Sequence, residues 1–376
     1  MIQIIRVGIV ILNILYSIIK IFPTKEKITM ISRQSNNEPV EMKMIKDGIM
    51  KRNKNIDVVI LCKTLEGREK SSLMSQIKYG FHMFVQMYHI ATSKVVILDS
   101  YCIAVSVLKH KKDLCVIQMW HSMGTMKKFG YTTLGTEEGS KKELAEAMKM
   151  HENYKYVFAS SPAYRDHLAA GFNCDQEKVV TMPLPRLDLL QNEEYGKNIR
   201  KKVYDKYPVL EKKPVILYCP TFRKEEEDFK FALDKLVEAV DTSKYNLVVK
   251  LHPLSKAETA DNVIVAREFS SFDILFVADY VISDYSCIVY EAAVLDIPLY
   301  FYNFDMDMYE VGRGLAIDYE KELPGVISKD AYEITEAIEN QPYNIEELRK
   351  FREKYIVPTE NATENIIDFV FKCMET

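Results

Sequence analysis

Residues Tyr280–Asp296, YVISDYSCIVYEAAVLD, decide the fold class. The first half is a short β-branched run that ends in Ser283-Asp284-Tyr285. The second half repeats apolar residues at helical spacing from Ser286, which stands in the N-cap position. A buried strand turning through small polar residues directly into a helix is one βα unit, and such units in series build a parallel sheet. Neighbouring runs extend the series: PVILYCP (214–220), NLVVKLHP (246–253), NVIVA (262–266) and IPLYFYN (297–303), with helical patterns between them such as 229–240. An earlier series has the same form, with ITMIS (28–32), DVVILC (57–62), KVVILDS (94–100), LCVIQMW (114–120), YVFAS (156–160) and KVVTM (178–182). Amphipathic stretches such as 71–92 and 141–151 separate these runs.

Two α/β domains follow from the two series, over 24–190 and 214–345. The charged stretch 191–213 reads as a linker, and helices over 346–376 are placed to pack back on the first domain. Open parallel sheets bind ligands beyond the carboxyl ends of their strands, so a cleft between two Rossmann-like sheets is the expected site. No G-x-G-x-x-G or Walker A loop occurs, which removes the common dinucleotide and ATP readings.

The chain has 376 residues and a formal charge of -4, so no global basic field points to nucleic acid. Its seven cysteines lack C-x-x-C spacing, which fits a reducing cytosolic setting and gives no zinc motif. The N-terminus differs: Ile2–Phe22, IQIIRVGIVILNILYSIIKIF, is almost wholly apolar and has no acidic residue. On a helix, Gln3, Arg6, Asn13, Ser17 and Lys20 fall in one sector. Residues 1–23 are therefore expected to form an amphipathic helix in a membrane interface with Arg6 and Lys20 at the headgroups, ahead of a buried core helix or a single span.

Candidate chemistry lies at strand ends. His121 follows LCVIQMW and His252 follows NLVVKL, and these two histidines are expected to face one cleft from opposite domains. His82, His89, His110, His151 and His167 lie in helical or loop patterns and carry no such expectation. The turn at Asp284-Tyr285-Ser286-Cys287 offers amide donors for phosphate. Glu291, in the same helix, reads either as a ribose acceptor or as a solvated carboxylate. In YCPTFR (218–223), Thr221 and Arg223 are able to hold an anionic oxygen. FDMDMYEVGRG (304–314) holds Asp305-x-Asp307, a weak pattern for a divalent metal, and Arg313.

Three ordered blocks carry a resemblance: QMWHSMGTMKKFG (118–130), LYCPTFR (217–223), and LHPLS with ISDYSCIVYEAAVLDIPLYFYNFDMDMYEVGRG and ELPG (251–325). Over roughly 94–330 the chain resembles the CDP-glycerol glycerophosphotransferases, the teichoic-acid primases and polymerases, which have a GT-B fold. The resemblance implies transfer of an alditol phosphate, glycerol phosphate foremost and ribitol phosphate as the alternative, from a CDP-alditol to a lipid-linked acceptor or growing polymer, with CMP leaving. It implies His121 as general base and His252 as its catalytic partner at the phosphates. Pro220, Thr221, Arg223, Asp284, Ser286, Cys287, Glu291 and Arg313 would hold the CDP-alditol, with Trp120, Gly124, Lys127 and Lys128 on the acceptor side. It implies a polyprenyl-diphosphate saccharide as partner at the cytoplasmic face of an anionic membrane and leaves a homo-oligomer open; no cofactor is assigned, and a divalent metal has only weak support. The chain departs from Trp-His-Gly-Thr-Pro at Trp120-His121-Ser122-Met123-Gly124, which leaves the alditol open, and Cys287 replaces a serine. A nucleotide-sugar glycosyltransferase and a non-catalytic polymer-binding protein are the competing readings.

Overall fold

The computed structural model describes residues 2–64, 72–136, 139–223, 227–251, 255, 260, 263–312 and 314–375. The chain divides into two compact units. The first comprises 1–122, 129–186 and 359–376, and the second 123–128 and 187–358. Segment 123–128, which begins two residues after His121, thus packs with the second unit although its neighbours on both sides belong to the first.

The first unit is built on a six-stranded parallel sheet ordered β2-β1-β3-β4-β5-β6. The strands are β1 Lys27–Ser32, β2 Asp57–Cys62, β3 Val95–Leu98, β4 Cys115–Gln118, β5 Tyr156–Ala159 and β6 Val179–Thr181. Central strands β1, β3 and β4 are buried along their whole length, as continuous β-branched runs covered on both faces must be. Helices α1 (Ile2–Ile19), α2 (Val40–Arg52) and α3 (Leu73–Ala91) precede β1, β2 and β3 respectively. The last helix, Ala362–Glu375, lays Ile366, Ile367 and Val370 into the core formed by Met42, Ile45 and Ile49 of α2 with β1, β3 and β4.

The second unit holds a five-stranded parallel sheet ordered β11-β10-β9-β7-β8, from β7 Val215–Cys219, β8 Asn246–Val249, β9 Tyr280–Ser283, β10 Leu299–Tyr302 and β11 Ile327–Ser328. Its core joins Ile216, Tyr218, Leu247 and Ile282 to Leu233 and Leu236 of the helix Glu227–Ala239 and to Ile334 of the helix Ala331–Asn340. Among the described residues of NVIVA, 263–266, one bridge forms, Ile264 to Val248, and no strand. The stretch read as a linker is largely helical: Glu193–Lys206 is capped by the Asn192 side chain and buries Ile199 and Val203.

The N-terminal helix also differs from expectation. Two residues of its polar sector meet the domain, while Gln3, Arg6 and Ser17 stay exposed: Asn13 donates to the Val107 carbonyl at 3.0 Å and accepts from the Lys109 amide at 2.8 Å, and Lys20 Nζ donates to the Lys109 carbonyl at 2.7 Å. Tyr16, the one buried residue of α1, meets His110 Nδ1 at 2.9 Å. The outward face is apolar, with Ile4, Val7, Ile11, Ile14 and Ile18 all exposed, which excludes a buried core helix. Lys20 holds the domain rather than reaching outward, while Arg6 stays exposed.

Burial holds His82, His89, His110, His121 and His151, all in the first unit, below the ordinary histidine range, His151 at about 4. The unfolded chain therefore takes up protons first. Their contribution to stability is complete above about pH 6.5 and is lost as pH falls toward 4. His151 alone is expected to remove about 2 kcal/mol between pH 7.5 and pH 5. Urea unfolding followed by the fluorescence of Trp120, the chain's single tryptophan, reads this unit; a midpoint equal at the two pH values would contradict it.

Candidate active site

In the first unit the site forms where β3 and β4 end. The residues after β4 leave the sheet through a strained turn: Trp120 has φ 67°, and its N–H is caught by the Gln118 side chain at 2.9 Å. Gln118 is fully buried and also donates to the Ser100 carbonyl at 3.3 Å, so one side chain ties the two strand ends together. Trp120 lies against the His121 ring with centroids 4.2 Å apart and is backed by Phe129 and Phe172. The half-buried His121 is thereby held from behind.

His121 Nδ1 lies 2.9 Å from the Asp99 carbonyl oxygen. A carbonyl only accepts, so Nδ1 carries the hydrogen and Nε2 keeps its lone pair. Burial pushes the His121 pKa down, opposed by the Asp99 hydrogen bond and charge, so the imidazole is neutral at physiological pH. The His121 carbonyl accepts from Arg186 at 3.3 Å, and Arg186 is ion-paired to the buried Glu41, its Nε 2.5 Å from the carboxylate. Asp99, Glu41 and Arg186 escaped the sequence reading. Asp99 stood at a strand end, the same signal that selected His121, whereas the Glu41–Arg186 pair spans too much sequence to show locally.

In the second unit the ends of β7, β9 and β10 converge on Asp284, which is fully buried. Its two oxygens accept from the Thr221 amide at 2.9 and 3.0 Å, and one accepts from Arg223 Nη2 at 2.9 Å. Arg223 also grips Asp305, with Nε to Oδ2 at 2.5 Å and Nη2 to Oδ1 at 3.0 Å, and its guanidinium packs among Tyr285, Phe304 and Tyr309. Burial works against that charge, but Asp284 and Asp305 together outweigh it and hold the Arg223 pKa above its ordinary value. Arg223 thus braces two loops, where the sequence reading gave it an anionic ligand.

Asp305 accordingly serves Arg223 and Tyr285, whereas Asp307 is solvent-exposed and pairs with Lys329 at 2.7 Å. The two carboxylates diverge and form no chelating pair. Ser286 is not the N-cap: the helix runs Ile288–Val294 with Cys287 at the cap, and Ser286 Oγ lies 3.5 Å from the Ile288 amide. Pro220 is buried at the end of β7.

Lys127 and Lys128 belong to the second unit. Backbone bonds from Lys128 N to Gly314 O at 3.1 Å and from Ala316 N to Met126 O at 2.8 Å pair segment 126–128 with 314–316. Lys127 Nζ donates to Thr221 Oγ1 at 3.1 Å and lies 5.4 Å from the Tyr309 ring centre. The residue read as acceptor-side therefore stands among the residues read as donor-binding, and Gly124 is buried in the same segment. His252 and Arg313 lie outside the described residues.

The family model for CDP-glycerol:poly(glycerophosphate) glycerophosphotransferases matches residues 14–372. The chain belongs to this family. Among curated relatives it is 28% identical over 333 residues to the teichoic acid ribitol-phosphate primase of Bacillus spizizenii W23, covering 85% of each chain. It is also 28% identical to the teichoic acid glycerol-phosphate primase of Bacillus subtilis 168, over 78% of each. In fold it is similar to the wall teichoic acid polymerase TagF, with TM-score 0.74 at 18% identity over 100% of this chain and 97% of that one. The two-sheet α/β architecture is thus the GT-B-like one that this glycerophosphotransferase family uses. Within it, Glu291 is 2% exposed, which removes the solvated-carboxylate reading.

Proposed function

We propose that this chain transfers an alditol phosphate from CDP-glycerol or CDP-ribitol to a hydroxyl of a lipid-linked saccharide or short polymer at the cytoplasmic face of the membrane. The acceptor oxygen bonds to the β-phosphorus, the bond from that phosphorus to the bridging oxygen breaks, and CMP leaves with the electron pair. His121 Nε2 takes the acceptor proton. The observation that carries this reading is the family match over 14–372, which runs through both units. The site adds chemical support: a neutral imidazole whose lone-pair nitrogen is fixed by the Asp99 carbonyl is a competent base near pH 7.

The second unit supplies positioning and electrostatics, which carry most of the rate in phosphoryl transfer. Lys127, which stands beside Thr221 and Tyr309, is a cation we assign to the donor phosphates, alongside the amides of the 286–288 turn. Thr221 Oγ1 orients Lys127, Glu291 is the group for the ribose hydroxyls, and His252 joins the phosphate contacts. A Lys127→Met variant is expected to raise KM for the CDP-alditol by about ten- to a hundredfold, the range of a hydrogen bond to a charged group, with a smaller effect on kcat. Steady-state kinetics reads this, and an unchanged KM would return Lys127 to another role.

The relatives named for ribitol phosphate and for glycerol phosphate stand at equal identity, so the alditol is settled by assay. Purified protein with a lipid-linked saccharide and CDP-glycerol, CDP-ribitol or a nucleotide sugar is expected to release CMP with at least one CDP-alditol. Release of UDP or GDP from a sugar donor instead, or no CMP with any alditol, would sink the proposal.

A further inference from the structure

The order of the first sheet reverses between β1 and β3, since the chain leaves β1 outward to β2 and returns across it to β3. At such a point the loops leaving two neighbouring strands part and leave a crevice beyond their carboxyl ends. Arg33, the first residue after β1, spans this one. Its amide donates to Ser100 Oγ at 3.1 Å and its Nη1 donates to the Tyr101 carbonyl at 3.0 Å, both just beyond β3. Helix α3 flanks the crevice with Tyr79, His82 and Gln86, which share one helix face. The Arg33 guanidinium lies 5.8 Å from the Tyr79 ring centre, the Tyr79 and His82 rings are 6.2 Å apart, and Gln86 Oε1 accepts from Cys102 Sγ at 3.8 Å. The contacts thus run in a closed ring from Arg33 through Tyr101, Cys102, Gln86, His82 and Tyr79 back to Arg33.

Arg33 Nε, His82 Nε2 and Gln86 Nε2, all in this ring, are buried and have no hydrogen-bond partner among the described residues. Gln86 is 2% exposed and forms the floor, while Arg33, His82 and Tyr79 are half-buried. The Arg33 and Gln86 nitrogens can only donate, and a neutral imidazole is able to donate from Nε2. A buried donor left unpaired costs free energy, so three in one ring call for a ligand with several acceptor oxygens. Charge narrows the choice. Arg33 has no carboxylate partner among the described residues, and Lys63, just beyond β2, adds a second positive charge that reaches His82. The neighbouring Asp99 carboxylate is taken by the Ser100 hydroxyl at 2.7 Å and by Ser32. An oxyanion fits this setting, with Arg33 answering its charge and the ring of donors its oxygens.

We propose that Arg33, His82 and Gln86 form an oxyanion pocket that holds a phosphate of the acceptor and so sets the acceptor hydroxyl against His121. This deepens the proposed reaction and rests on it for its use. The pocket and the base share the loop after β3: the Asp99 carbonyl fixes His121 Nδ1, while Ser100 and Tyr101 hold Arg33. The ends of β1 and β4 are two strand spacings apart, roughly 10 Å, so a phosphate at Arg33 and a hydroxyl at His121 fall within a short span of one acceptor. Two parts of such an acceptor carry the group, the diphosphate of the lipid carrier and the phosphodiester of an alditol unit already added. Phosphate oxygens are the chemistry common to both.

Calorimetry without nucleotide titrates the full-length chain with a short-chain lipid diphosphate disaccharide, with a methyl disaccharide carrying one glycerol phosphate, and with the phosphate-free methyl disaccharide. Arg33→Met is expected to weaken at least one phosphate-bearing probe by about ten- to a hundredfold, the range of a hydrogen bond to a charged group, and the probe affected names the phosphate. In turnover the same variant is expected to raise the acceptor KM by a like factor and leave the donor KM unchanged. Gln86→Met is expected to weaken the same probe about tenfold while its unfolding midpoint stays at or above wild type, because an apolar group of similar shape replaces a buried donor that has no partner. A merely structural Gln86 would give the reverse, lower stability at wild-type affinity, and would remove it from the pocket. Lys78→Met, which deletes an exposed charge on α3, is expected to change none of these affinities. Circular dichroism confirms that the variants are folded. Equal affinity of wild type and Arg33→Met for both phosphate-bearing probes would overturn the proposal. So would an equal loss for the phosphate-free probe, or a loss confined to the CDP-alditol. Phosphate-dependent binding that Arg33→Met weakens, with no CMP release from any CDP-alditol, would strike the reaction and leave the pocket standing.

Discussion

Replacing His121 with alanine is expected to lower CMP release from the CDP-alditol by about a thousandfold, with little change in the donor KM. The expected split between kcat and KM follows from where the side chain sits. His121 belongs to the first unit, its ring fixed by the Asp99 carbonyl and the Trp120 face, while the groups assigned to the donor lie in the second. Its backbone carbonyl still receives Arg186 in the variant, so the turn survives loss of the ring. The pH profile supplies an independent check. Protonation of Nε2 abolishes the base, and burial holds the His121 pKa below the ordinary 6.5, so the acid limb of kcat is expected below pH 6.5. The nearby Asp99 charge opposes that shift, and Asp99→Asn is expected to move the limb to still lower pH. An acid limb above pH 7, or an alanine variant that keeps more than about a tenth of the rate, would remove His121 from the role of base.

The strands were legible because parallel sheets bury both faces. VVIL is wholly apolar, CVIQ and YVIS are apolar runs with one polar residue at the carboxyl end, and each forms the strand its composition implies. NVIVA has a similar composition, but its described residues, 263–266, make a single bridge beside β8, because a β-branched run records suitability for a sheet and not the presence of a partner along its length. The charged stretch 191–213 misled in the other direction. Charge density was read as a linker, yet Ile199 and Val203 recur at helical spacing within it, and those two residues bury the helix.

The site was legible to the extent that position on a strand end selects residues. It was not legible where function depends on pairing. Arg223 was recognised as a site residue, but its partners lie 61 and 82 positions away, and no local pattern states that both its faces are already answered. Lys127 is the converse: sequence adjacency placed it with His121, whereas the chain crosses between units within those few residues. The amphipathicity of α1 was real in both readings. A hydrophobic period shows that two faces differ and leaves open which one meets the rest of the protein; Asn13 and Lys20 settle that through their bonds to 107–109.

The Arg223→Met variant separates the two roles open to that residue. If Arg223 were chiefly a phosphate ligand, methionine would raise the donor KM and leave the fold intact. The structure places its guanidinium, 11% exposed, between Asp284 at 0% and Asp305 at 9%, so the variant abandons two neighbouring carboxylates in a poorly hydrated site. Loss of one partner from a buried ion pair typically costs about 3–5 kcal/mol, far more than the pair contributes relative to an apolar replacement. The second unit is therefore expected to lose about that much stability near pH 7, read by circular dichroism or calorimetry because the single tryptophan lies in the first unit. Asp284→Asn is expected to be milder, since the amide oxygen still accepts the Thr221 N–H and Arg223 keeps Asp305. An Arg223→Met protein with wild-type stability and a raised donor KM would make the guanidinium a ligand after all; one that unfolds readily at neutral pH is the outcome required by a brace that holds Thr221, Asp284 and Asp305 in register.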